Sequence, residues 1–162
     1  MPQDDPSLVL QALRDLDKFI EVEGPFDGII AFSMGALLTT TYLIQHGIKK
    51  PHTPLPFQCG IFLSGQVPVD PIALERGEIR VLDPAVDGDQ LMANFPTAHI
   101  WDPNDEAYRD QSERLSGLCD PRVQLRLHHG EGHAVPGPRA QDSLLGSVRV
   151  IRRTVEQAAM MV

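Results

Sequence analysis

Apolar residues first recur at helical spacing: Leu8, Ala12, Leu13, Leu16, Phe19 and Ile20 share one face before the pattern stops at Gly24. That period predicts an amphipathic helix with Ser7 as its N-cap. The pattern then changes. Residues 28–32 form a short apolar run that reads as a strand, and helical spacing resumes over 34–46 until Gly47 stops it. Residues 49–57 hold three prolines and predict a loop. Further strands are expected at 60–63, 98–101 and 123–127, with a helix over 106–118. A last helix is expected over 139–160, with Leu144, Leu145, Val148, Ile151 and Val155 on one face. Between 66 and 96 the chain is irregular and rich in Pro, Gly and Asp, with one short helix expected near 90–95. Strands alternating with helices imply a mostly parallel sheet covered by helices, in one domain spanning 1–162 without internal repeats.

The strand at 28–32 runs directly into Ser33, and a helix follows at Met34. This is the layout of a nucleophile elbow, in which a tight turn exposes a serine between strand and helix. Such a turn strains the serine backbone, so the residues two before and two after it must be small. Here they are Ala31 and Gly35, so the usual G-x-S-x-G appears as A-x-S-x-G. The plainer alternative is that Ser33 only caps the helix.

Two later loops supply possible partners. The strand at 98–101 runs into Asp102-Pro103-Asn104-Asp105-Glu106, and the strand at 123–127 leads through His128 to His129-Gly130-Glu131-Gly132-His133. Both loops follow the carboxyl ends of strands, the edge where open parallel sheets collect ligands and catalytic groups. The order Ser, Asp, His is that of α/β-hydrolases. A serine hydroxyl needs a neighbouring imidazole to take its proton, and the imidazole needs a carboxylate to fix its tautomer.

The block Gly24-Pro25-Phe26-Asp27-Gly28-Ile29-Ile30-Ala31-Phe32-Ser33-Met34-Gly35-Ala36 resembles the elbow of the FSH-type fungal serine hydrolases, a family of α/β-hydrolases. Ile61-Phe62-Leu63-Ser64-Gly65 is similar to that family's next core strand, His99 to Asp105 to its acid loop, and His129 to Pro136 to its histidine loop. The resemblance implies Ser33 as nucleophile, Asp105 rather than Asp102 as acid, His133 as base, and the Met34 N–H as an oxyanion donor. It also implies an ester or thioester substrate, free or on a carrier protein, including acyl release from a polyketide synthase in fungal secondary metabolism. Departures are Ala31 at the first elbow glycine, Asp102 where Gly is usual, and Gly130-Glu131 where Pro-Gly is common. Family members also carry a longer segment before the elbow, with a strand ending in His-Gly that provides a second oxyanion donor. Nothing in 1–23 reads that way. The expected fold is therefore α/β-hydrolase-like and truncated on its amino-terminal side. The absent donor keeps a second class open: a cyclase or isomerase using His133 as acid–base, or an inactive remnant.

Truncation also bears on assembly. An elbow strand without its usual neighbour presents unpaired backbone groups, so either the helix in 1–23 folds over that edge or a second copy pairs with it. A two-fold homodimer is the expectation. Composition excludes other partners: a net charge of −8 and a pI near 5.1 argue against nucleic acid and anionic membrane. No apolar run approaches the length of a membrane span, and Met1-Pro2-Gln3-Asp4-Asp5 lacks the basic start of a signal peptide. Cys59 and Cys119 read as free thiols in a reducing, cytoplasmic setting. No cofactor or metal is called for. Asp83, Asp87 and Asp89 lack the closing glutamate of a calcium loop and read as solvated. His46, His52 and His99 have no ligand spacing, His128 and His129 read as structural, and Gly130-Glu131-Gly132 is too short to cradle phosphate.

Overall fold

The computed structural model describes residues 4–162. Residues 1–3, part of the acidic amino-terminal stretch, lie outside the described residues. Four strands, β1 (Gly28–Phe32), β2 (Cys59–Leu63), β3 (Thr97–Trp101) and β4 (Gln124–His128), form one parallel sheet in the order β1-β2-β3-β4. Every residue of β2 and β3 is buried, as expected of central strands covered on both faces, whereas β1 and β4 are only partly covered. The helices are α1 (Pro6–Glu23), α2 (Met34–Lys49), α3 (Pro71–Glu75), α4 (Pro84–Asp87), α5 (Arg109–Leu118) and α6 (Gln141–Met160).

The two faces of the sheet carry separate cores. On one, Phe62 of β2 packs with Leu13 of α1, Leu43 of α2 and Leu115 of α5. On the other, Ile61, Leu63, Ala98 and Ile100 meet Val150 and Ile151 of α6. Burying one such Leu or Ile contributes about 1.5–3 kcal/mol, so these two layers dominate the favourable side of folding. Parallel strands with helices on both faces make this an α/β-hydrolase-like fold.

Several local expectations need correction. The N-cap of α1 is Asp5, whose carboxylate accepts from the Ser7 N–H and hydroxyl at 2.9 and 2.7 Å. Helix α2 runs through Gly47 to Lys49, and α5 begins at Arg109 after a turn rather than at Glu106. No helix forms at 90–95, where the chain makes turns; the segment 66–96 instead folds into α3 and α4. Asp83 and Asp87 are not merely solvated: Asp83 caps α4, and Asp87 receives two hydrogen bonds from Arg80 and one from the Asp83 N–H. The expected apolar face of α6 is only half used, since Leu145, Val148 and Val155 are exposed.

His99 gives the fold a testable pH dependence. It is fully buried on β3, 3.0 Å from the Thr97 hydroxyl and with its ring tilted against Phe62. Burial, helped by the Arg126 charge, pushes its pKa down to about 3. The unfolded chain binds that proton near pH 6.5. Between those values the unfolded state holds more protons, so stability falls as pH drops through the window. Chemical denaturation from pH 7 to 4 is expected to show a slope from His99 of about 1.4 kcal/mol per pH unit, lost in His99→Asn. An unchanged slope in that variant would place the acid sensitivity elsewhere.

Candidate active site

Ser33 stands at the junction of β1 and α2 with φ 54° and ψ −119°, a region that non-glycine residues rarely occupy. Its neighbours hold it there. The Ser33 N–H donates to the Leu63 carbonyl at 3.0 Å, and its own carbonyl accepts from the Ala36 and Gln66 N–H groups, each at 3.1 Å. A Cβ added at Gly35 would lie 3.8 Å from that of Ala31, an ordinary contact, so alanine at the first elbow position is accommodated. Although Ser33 occupies the N-cap position of α2, its side chain makes no capping bond. Its hydroxyl is engaged elsewhere.

That engagement is with His133, whose Nε2 lies 2.8 Å from Ser33 Oγ. His133 Nδ1 lies 2.7 Å from Asp105 Oδ2. An ionised carboxylate can only accept, so Nδ1 carries the proton and Nε2 offers its lone pair to the serine hydroxyl. The structure thus brings together Ser33, His133 and Asp105, from loops after β1, β4 and β3. Asp105 is buried, and its other oxygen accepts from the Ala107 and Tyr108 N–H groups at 3.1 and 3.3 Å. The His133 ring contacts Tyr108 and Phe32, at centroid distances of 4.4 and 5.2 Å. Met34 opens α2, so its N–H has no carbonyl within the helix to meet and is placed beside Ser33.

Asp102 has a different task. Its two oxygens accept from the Asn104 N–H at 2.8 Å and the Gly132 N–H at 2.7 Å, tying the acid loop to the histidine loop. Those two bonds, the Asn104 one first, hold its carboxyl below the usual carboxylate range. His129 is buried in the same loop; its Nδ1 accepts from the Glu131 N–H, and burial lowers its pKa. The ring of His128 meets Trp101 edge-on at 4.3 Å. His52 is exposed on a turn, His46 is buried in the last turn of α2, and Cys59 and Cys119 are buried free thiols. Burial pushes the Cys119 thiol up to about 12, which leaves it unreactive. Among the described residues, no group of His, Cys, Asp and Glu is arranged to hold a metal ion.

Two residues at this site carried no signal in the sequence. Gln66, just past β2, directs its carboxamide Nε2 to Ser33 Oγ at 3.2 Å. Tyr108 covers His133. Both border a cavity of about 230 Å³ whose other walls include Leu37, Val67, Ile79 and Val81. A larger cavity of about 330 Å³ lies between α1 and the carboxyl-terminal half of α2, at the far end of that helix from Ser33.

An elbow serine hydrogen-bonded in series to a histidine and an acid, at the carboxyl edge of a parallel sheet, defines an arrangement of the serine-hydrolase type. The family model Serine hydrolase (FSH1) matches residues 4–143, and the chain belongs to that family. It is 34% identical over 128 residues to Esterase FPY3 of Fusarium mangiferae, covering 79% of this chain and 56% of that esterase. It is 41% identical over 200 aligned positions to Hydrolase FUB4 of Gibberella moniliformis, covering 93% of this chain and 74% of that hydrolase. Esterase alnB of Emericella nidulans is 27% identical over 195 positions, with 81% and 68% covered. The chain thus spans between about half and three quarters of the length of these relatives. No helix among the described residues is long and apolar enough to cross a membrane.

Proposed function

We propose that this protein hydrolyses an ester or thioester through an acyl-enzyme, with Ser33 as nucleophile, His133 as general base and acid, Asp105 as its orienting carboxylate, and the Met34 N–H as an oxyanion donor. The observation that carries this reading is the unbroken pair of hydrogen bonds, 2.8 Å from Ser33 Oγ to His133 Nε2 and 2.7 Å from Nδ1 to Asp105. In the acylation step Oγ attacks the carbonyl carbon while its proton passes to Nε2, and the carbonyl π pair moves onto oxygen. Collapse expels the alcohol or thiol, which takes the proton from His133. Water then repeats the sequence to release the acid. The cavity beside Gln66 and Tyr108, walled by Leu37, Val67, Ile79 and Val81, suits the apolar part of an acyl substrate.

We take the substrate setting to be acyl release in fungal secondary metabolism, with the acyl group free or carrier-bound, in a cytoplasmic compartment. Fungal relatives named as esterase and hydrolase support the ester chemistry of that setting. A cyclase, isomerase or inactive remnant would not require a strained serine aligned on the imidazole. Reaction with a fluorophosphonate separates the two: labelling confined to Ser33 is expected, and absence of labelling by the folded protein would overturn the hydrolase reading.

We further infer that the protein pairs with a second copy along β1. Among the described residues β2 is the one strand paired with β1, and α1 packs mainly on α2 and α3. Ile30 and Phe32 on that strand are 64% and 42% exposed. A helix could cover such side chains but could not satisfy ladder donors and acceptors, whereas a symmetry-related β1 would do both. Light scattering at micromolar concentration is expected to give twice the chain mass. A monodisperse monomer would remove the pairing.

A further inference from the structure

We propose that the Gln66 side chain is the second oxyanion donor, acting beside the Met34 N–H. The proposal rests on Ser33 being the nucleophile. Asp105 fixes the His133 proton on Nδ1, so Nε2 accepts the hydrogen bond of the serine hydroxyl and Ser33 Oγ can only accept from its other neighbour. That neighbour is the Gln66 carboxamide, which must therefore present its NH₂ group to Oγ, at 3.2 Å.

The carboxamide is buried and its backbone is held from three directions. The Gln66 N–H donates to the Ser33 carbonyl at 3.1 Å, tying the donor to the nucleophile it serves. On α5, the Ser112 hydroxyl donates to the Gly65 carbonyl at 2.9 Å and Gln111 accepts from the Val67 N–H at 3.1 Å. Gly65 itself is packed too closely to carry a side chain, since a Cβ there would approach Leu115 to 2.6 Å and Ala36 to 3.0 Å. Fixed dipoles of this kind stabilise developing charge without reorganising at the moment of reaction.

Position completes the case. Gln66 both touches Ser33 Oγ and lines the neighbouring cavity, so an acyl group that seats there while Ser33 attacks it would bring its carbonyl oxygen toward the carboxamide. In the ground state the NH₂ group rests on Oγ. When Oγ bonds to the carbonyl carbon and the π pair moves onto oxygen, the negative charge forms two bonds away from Oγ, on an atom within reach of the same amide. The bond that Gln66 makes to a neutral hydroxyl becomes a bond to an anion, and charge-assisted bonds are about twice as strong. The interaction therefore strengthens in the transition state, as catalysis requires.

The test compares wild type with Gln66→Met and Gln66→Glu, both near-isosteric and neither a neutral donor. p-Nitrophenyl butyrate serves as substrate, and a trifluoromethyl ketone with the same acyl group as the tetrahedral analogue. Fluorophosphonate labelling of Ser33 in wild type comes first; its absence would overturn the nucleophile assignment and this proposal with it. With labelling present, both variants are expected to lose about 10²-fold in kcat with KM little changed, and to bind the ketone correspondingly more weakly. Unchanged kcat, or a loss of kcat with unchanged ketone affinity, would overturn the oxyanion role while leaving Ser33 in place. A third measurement needs no variant: in wild-type protein the Gln66 side-chain amide protons should move downfield on forming the ketone adduct, and unmoved protons would overturn the proposal even if both variants fail to fold.

Discussion

Replacing Ser33 with alanine is expected to lower kcat/KM toward the uncatalysed rate, on the order of 10⁶-fold, with no loss of thermal stability. Both halves follow from the elbow. Among the described residues the Ser33 hydroxyl is the group hydrogen-bonded to His133 Nε2, at 2.8 Å. It makes no capping bond to α2, so its removal takes nothing from the helix. Ser33→Gly should be as inactive but more stable, because φ 54° costs an L-residue about 1–3 kcal/mol that glycine does not incur. Ester hydrolysis and thermal unfolding of the two variants decide it. Residual activity in Ser33→Ala above that of buffer would transfer the nucleophile to another residue, and a lower melting temperature in Ser33→Gly would mean the turn is unstrained.

The elbow was legible because its chemistry is local: a strand, a serine between small residues, and a helix within nine positions. The helix starts were less so, although one signal ran through the chain. Each of the five Asp-Pro dipeptides, at Asp5, Asp70, Asp83, Asp102 and Asp120, accepts the N–H two residues on. Four of them open a helix or a helical turn with Pro at its first position, where a missing N–H costs nothing. Reading Asp-Pro as a start places α3 and α4 inside the segment taken as irregular, and moves the cap of α1 from Ser7 to Asp5. Gln66 and Tyr108 had no comparable signal. Their roles arise from the meeting of β2, α2 and α5, and such long-range packing leaves no periodicity in the chain. The half-exposed face of α6 has the same origin: apolar spacing shows that a face can be buried, whereas the neighbours decide whether it is.

The two aspartates of the acid loop should separate cleanly. Asp105→Asn is expected to lower kcat/KM by about 10⁴ at neutral pH with near-normal stability, because an amide facing Nδ1 no longer selects the tautomer that frees Nε2 for Ser33. Asp102→Asn should act through structure. Its carboxylate uses one oxygen for the Asn104 N–H and the other for the Gly132 N–H, and an amide keeps only one acceptor. The histidine loop would lose a charge-assisted bond worth about 1.5–3 kcal/mol next to His133, giving a lower melting temperature and most of the activity at low temperature. The wild-type Asp102 carboxyl titrates below its unfolded value, so its contribution is present above about pH 4 and disappears as pH falls through the carboxylate range. Asp102→Asn should therefore flatten the acid limb of stability against pH, while Asp105→Asn changes the rate. Activity at 10 °C, melting temperature and the acid limb, measured on both variants, give a crossed pattern if the two roles are distinct. Equal and severe losses of activity from both would show that Asp102 also acts on the imidazole.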